Sequence, residues 1–240
     1  MTRDDQRPLA DVPPWLWLTL GGALAAQIAW RAMLPAPAPQ ATDLPAAPPA
    51  RLLRLASFGE QAALARLAML YLQAFDLRAG NAAPYSRLDY GRLTGWLDAI
   101  LALDPRSEYP LFSAARIYAE TPDPQRTRLM LDFIYREFLL DPGARWPWLA
   151  HAALLARHRL NDLPLARRYA AAVAAATAGR PDVPLWASQM QIFILEDMNE
   201  LEAARVMLGG LLASGRVTDP AEQRFLRGRL QELERRLGSR

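Results

Sequence analysis

The chain has 240 residues, 28 basic and 25 acidic side chains, and a formal net charge of +3. It contains no Cys and no Lys, which excludes disulfides, thiolate metal sites, cysteine nucleophiles, Walker-type phosphate loops and lysine Schiff bases. Ala, Leu and Arg dominate while Val, Ile and Thr are scarce, so an all-α fold is expected; acids and arginines interleave, leaving no concentrated basic face for nucleic acid.

A short N-terminal tail, residues 1–14, leads through Pro13 and Pro14 into an apolar run, WLWLTLGGALAAQIAWRAML, over 15–34. As a helix, twenty residues span about 30 Å, the thickness of a bilayer core. Trp15 and Trp17 at one end and Trp30 at the other suit the two interfaces, and Arg31 lies where a long cation can snorkel. The run reads as a single transmembrane helix of the signal-anchor kind. Cleavage as a signal peptide, at Ala23-Leu24-Ala25 or Ala36-Pro37-Ala38, is the rival reading. The arginines flanking the run are nearly balanced, Arg3 and Arg7 against Arg31, Arg51 and Arg54. The signal-anchor plan then places the main domain outside the cytoplasm: single-pass in a bacterial-type inner membrane, domain periplasmic. Residues 35–50, PAPAPQATDLPAAPPA, follow as an extended Pro/Ala linker.

From residue 51 to 240 apolar residues recur at helical spacing. Helices are predicted at 52–76, 88–103, 109–120, 124–140, 146–159, 163–178, 184–197, 200–214 and 219–237. They come in a register. Tyr109-Pro110, Trp146-Pro147 and Val183-Pro184 each read as a helix start, and their prolines are 37 residues apart both times. Asp104-Pro105 and Asp141-Pro142 keep the same spacing. Asn161 and Asn199, 38 apart, open second helices that carry Ala166 and Ala204 for close approach.

Two helices per unit at such a period mark an α-solenoid. The pattern resembles the tetratricopeptide (TPR) repeat family: small Ala115 and Ala152 in the first helix of a repeat, and a turn where Asn161 or Asn199 replaces the usual Gly. The resemblance is clearest over 87–214, with a C-terminal capping helix at 219–237 whose leucines, 226, 230, 233 and 237, form one stripe. It departs from the family at Gln189 and in its period, which exceeds the usual length of about 34 residues. The resemblance implies a concave surface that binds protein or peptide and carries no chemistry of its own.

Candidate partner-binding residues follow from side-chain type. Trp146, Trp148 and Trp186 either fill space between helices, as aromatics in repeats commonly do, or anchor a partner. Arg157, Arg159, Arg167 and Arg168 cluster around one hairpin turn and suit an acidic peptide or lipid headgroups, unless simply solvated. No catalytic, metal or cofactor residues are assigned. His151 and His158, the only histidines, are separated by about 10 Å along one helix and do not share a metal. Glu196/Asp197 and Glu200/Glu202 read as helix-end acids. The expectation is a membrane-anchored interaction scaffold or adaptor for a cell-envelope complex: no enzyme, no cofactor, no nucleic acid and no small-molecule substrate. The alternative is an accessory subunit of a membrane complex, held through its apolar helix by the small face of Gly21, Gly22, Ala23, Ala25 and Ala26.

Overall fold

Runs of good helix formers punctuated by Asp-Pro, Asn and Gly give helix after helix, and no strand, among the residues described by the computed structural model: 13–33, 44–78 and 88–239. Eleven α-helices are present there. The chain divides into two units, Met1–Thr42 and Asp43–Arg240.

The first unit contributes α1, Pro14–Met33. It is the helix expected at 15–34, but among the described residues no helix is long and apolar enough to cross a membrane. Twenty residues suffice in length; Arg31 and Gln27, with Gly21, Gly22 and the three tryptophans, dilute the apolarity. Residues 1–12 and 34–43, which hold most of the expected tail and linker, lie outside the described residues.

The second unit starts earlier than the linker reading implied. Residues 44–49 are extended, as expected of a Pro-rich stretch, yet they are docked. Leu44 is buried, its carbonyl accepts from Arg92 Nη1 at 2.8 Å, and the Pro45 carbonyl accepts from Trp96 Nε1 at 2.8 Å. The helices are α2 Ala50–Ala56, α3 Gln61–Arg78, α4 Tyr90–Leu103, α5 Tyr109–Arg116, α6 Pro124–Leu140, α7 Pro142–His158, α8 Leu163–Thr177, α9 Trp186–Asp197, α10 Leu201–Ala213 and α11 Pro220–Gly238. Asp89, Asp123, Asp141, Asp162 and Asp219 cap α4, α6, α7, α8 and α11 by accepting backbone N–H groups of the first turn, each worth about 1 kcal/mol.

Four helices differ from the periodicity. The helix expected at 52–76 is broken by a turn at 57–59, where Phe58 (φ 49°) and Gly59 (φ 95°) take left-handed conformations. The helix expected at 109–120 ends at Arg116, and a 3-10 turn, Tyr118–Glu120, completes it. Pro147 and Pro184 do not start helices: α7 begins at Pro142 with Pro147 inside it, and α9 begins after Pro184, at Trp186. An internal proline removes the donor for the carbonyl four residues back. Here that carbonyl, Gly143 O, accepts from Arg180 Nη1 at 2.6 Å, so a side chain 37 residues later replaces the missing bond.

Asn161 (φ 51°) and Asn199 (φ 60°) are left-handed. They terminate α7 and α9; the capping role expected of them falls to the next residue at Asp162 and to no side chain at Glu200. Just beyond each, Asp162 N–H reaches back to Ala156 O and Glu200 N–H to Leu195 O, both at 2.9 Å, closing the helix end through an αL residue.

Each helix packs mainly on its sequence neighbours, from α6 on α7 through α10 on α11, and α4–α6 and α5–α7 touch across one intervening helix. Ala115, Ala152, Ala166 and Ala204 are fully buried at these contacts, as their small size suggested. One apolar core runs from Leu44 to Ile194. A second, around Leu201, Leu208, Leu226 and Leu233, joins α9, α10 and α11. α9 serves both, Ile194 toward the first and Ile192 and Leu195 toward the second.

Candidate functional site

The side chains that face across neighbouring helix pairs do so at a near-constant sequence offset. Tyr169 stacks on Tyr135 at 5.1 Å and its hydroxyl meets Asp132 at 3.3 Å. Arg128 pairs with Asp162 at 2.8 Å, and Arg167 with Glu200 at 2.6 and 2.8 Å. Arg159 donates to the Glu120 carboxylate at 2.7 Å and to the carbonyls of Glu120 and Thr121 at 2.6 and 2.8 Å. Phe112 meets Trp148 edge-on at 6.0 Å. A guanidinium offers a rigid fork that satisfies a carboxylate and two helix-end carbonyls together, a geometry an ammonium lacks.

This accounts for the arginine cluster. Arg159 and Arg167 are engaged as above, and Arg157 pairs with Asp197. Arg168 lies between Tyr135 and Tyr169, 5.0 and 5.3 Å from the ring centres. All four therefore join one helix pair to another, and none presents a bare guanidinium. Three helix-end acids are matched in the same way, Glu196 to Arg229, Asp197 to Arg157 and Glu200 to Arg167, while Glu202 pairs with Arg205 within α10.

The three candidate tryptophans divide. Trp146 and Trp148 are half-buried against the main core and point to opposite neighbours across Pro147. Trp148 meets Phe112 of α5, whereas Trp146 meets Trp186 of α9 at 5.6 Å. Trp186 is 47% exposed and is the least buried of the three. Phe112 stacks on Tyr109 at 5.9 Å, and the Tyr109 hydroxyl accepts from Gln73 Nε2. Tyr109 and Phe112 are both exposed, and neither was among the candidate partner-binding residues of the sequence. The first helices of successive pairs thus carry an aromatic row, Tyr109–Phe112–Trp148 and then Trp146–Trp186. At its N-terminal end Tyr109 and Pro110 also wall a pocket of about 390 Å³, with Met69, Leu70 and Ile100 as its apolar lining.

Comparison with protein-family models, curated proteins and solved structures found no match to this chain.

Two ionisable groups are shifted by their surroundings. Burial and then Arg116 hold the His151 imidazole below its usual range. Burial, then Asp132, pushes Tyr169 up to about 12, so it stays neutral. Among the described residues no group of three His, Asp or Glu side chains is placed to hold a metal. Sequence reasoning also missed a buried pair, Glu137 and Arg145, only 6% and 8% exposed. Arg145 Nη1 meets Glu137 Oε2 at 2.7 Å and the Glu137 carbonyl at 2.8 Å, and Nη2 reaches Pro105 O at 3.1 Å. The Arg145–Pro105 contact spans 40 residues, near the 37-residue spacing of the Asp-Pro pairs.

Proposed function

We propose that this chain is a protein-binding α-helical repeat scaffold of the TPR-like kind, attached to a membrane through α1, which acts without chemistry of its own. The observation that carries the reading is the aromatic row. Arg157, Arg159, Arg167 and Arg168 are engaged between neighbouring helices, whereas Tyr109, Phe112 and Trp186 remain exposed, and Tyr109 also walls an apolar pocket. Exposed aromatics anchored on rigid helices are the usual hot spots of peptide recognition. The solenoid class is supported by the recurring offset of 33 to 40 residues in the cross-pair contacts, which is what nearest-neighbour stacking of one repeated unit produces. Membrane attachment is supported by α1, which exposes Trp15, Leu18, Leu20, Leu24, Ile28 and Trp30, a surface suited to lipid with Trp at the headgroup level. The proposed setting is a bacterial-type envelope, with the repeat domain on the periplasmic side gathering partners of an envelope complex.

The test is site-specific photo-crosslinking of the full chain in its native membrane, with the reactive group at Tyr109, Phe112 or Trp186 and a control at Phe225 on α11. A discrete adduct at the three row positions and none at Phe225 is expected. Equal labelling at all four, or none, refutes the row as the binding surface. If partner capture survives Trp186→Ala and Phe112→Ala but is lost on Gly21→Leu, the partner is held through α1, and the accessory-subunit reading replaces this one.

A further inference from the structure

The end of the domain that follows the docked strap carries an exposed apolar tip. Leu52 and Leu55 on α2 and Phe58 in the turn after it recur every three residues, with Leu55 76% and Phe58 95% exposed. On the opposite side Leu53 and Ser57 are buried, so α2 is held against the domain and the tip faces outward. Phe58 also sits at φ 49°, a conformation bulky residues avoid. In water both the strain and the bare ring are unfavourable. The turn is nonetheless well tied: Ser57 Oγ donates to Arg54 O at 2.7 Å, Phe58 N–H to Leu55 O at 3.3 Å and Glu60 N–H to Ser57 O at 2.8 Å. Strain kept in a hydrogen-bonded turn points to a use for the side chain it displays.

Charge indicates the occupant. Arg51 and Arg54 stand on the same exposed side, and neither is in an ion pair among the described residues. Over residues 44–75 the chain has three arginines and one acid, Glu60. A fluid, negatively charged, apolar medium needs no complementary shape. In sequence only ten residues separate the end of α1 from Leu44, so a surface that holds α1 is presented to α2 at high effective concentration.

We infer that α2 and the Phe58 turn form a second lipid contact, in which Leu52, Leu55 and Phe58 enter an anionic membrane interface while Arg51 and Arg54 meet lipid phosphates. The inference rests on the proposed attachment of α1 to a membrane. Its consequence is a second point of contact between the helical domain and the membrane.

The full chain lacks Cys, so Gln61→Cys, exposed beside the tip, accepts one environment-sensitive label, and Phe225→Cys on α11 serves as control. Vesicles of phosphatidylcholine and phosphatidylglycerol carry a headgroup-attached quencher. Quenching at position 61 several-fold above that at 225, lost in purely zwitterionic vesicles, is expected. Arg51→Gln with Arg54→Gln lowers the ratio of docked to undocked domain on the order of 25-fold. Phe58→Gly lowers it too while keeping the turn, and circular dichroism confirms that helix content is retained. A chain that sediments with vesicles but is quenched equally at 61 and 225 overturns the inference and leaves α1 attachment standing. A chain that does not sediment overturns both. Shielding of the label at 61 without vesicles, rising with protein concentration, assigns the face to a second copy and overturns the lipid contact.

Discussion

Replacing Glu137 by Leu removes the carboxylate that faces Arg145 and leaves the guanidinium buried with only two carbonyl acceptors, Glu137 O and Pro105 O. Breaking one side of a buried pair costs about 3–5 kcal/mol. For a chain of this size that corresponds to a fall in Tm of about 6–20 °C. The double variant Glu137→Leu with Arg145→Met removes both charges. It forfeits the two bonds to carbonyls, about 1 kcal/mol each, and relieves the desolvation of two ions, so it lies within about 2 kcal/mol of the parent. Thermal and urea unfolding of the four proteins, followed by circular dichroism, completes the cycle. A single-variant cost below about 1 kcal/mol, or a double variant that loses the sum of both singles, refutes the assignment of a tightly coupled buried pair. The pH dependence adds a second check. Burial, only partly offset by Arg145, raises the Glu137 carboxyl above its ordinary 4.5. The folded state therefore holds that proton more readily than the unfolded chain. The stabilisation from this group is complete below 4.5 and is lost as pH rises through the raised folded value. Glu137→Gln removes that part of the slope.

Trp148→Ala is expected to cost about 2–3 kcal/mol, since the ring is half-buried against Phe112, and the exposed Trp186→Ala about 1 kcal/mol; melting of both, with partner crosslinking, separates packing from recognition. His151 behaves opposite to Glu137. Its depressed value means that the unfolded chain binds the proton first, so stability is full above 6.5 and falls as pH drops through the folded value; unfolding of His151→Gln measured on both sides of 6.5 shows a flatter slope. Asn161→Ala forces a Cβ-bearing aliphatic into a left-handed site and costs about 1–2 kcal/mol, whereas Asn161→Gly is nearly neutral by urea unfolding.

Helix content was legible from composition and periodicity because both act within a few residues. The strong N-caps at Asp89, Asp123, Asp162 and Asp219, and the left-handed asparagines, are local chemistry of the same kind. Even the burial of Ala115, Ala152, Ala166 and Ala204 followed from their register. The tertiary structure alone decided what depends on partners 33 to 51 residues away. Pro147 was read as a helix start because proline suits a first helical position; it lies inside α7, where Arg180 supplies the missing donor to Gly143 O. The arginine cluster looked like a surface patch until Glu120, Tyr135, Asp197 and Glu200 were brought to it. Residues 44–49 looked like free spacer until Arg92 and Trp96 claimed their carbonyls. Trp146 and Trp148 could be told apart only once α5 and α9 stood on either side of α7. Local propensity writes the helices, while the use of each polar or aromatic side chain is set by which neighbour the stacking delivers, and stacking is a property of the whole chain.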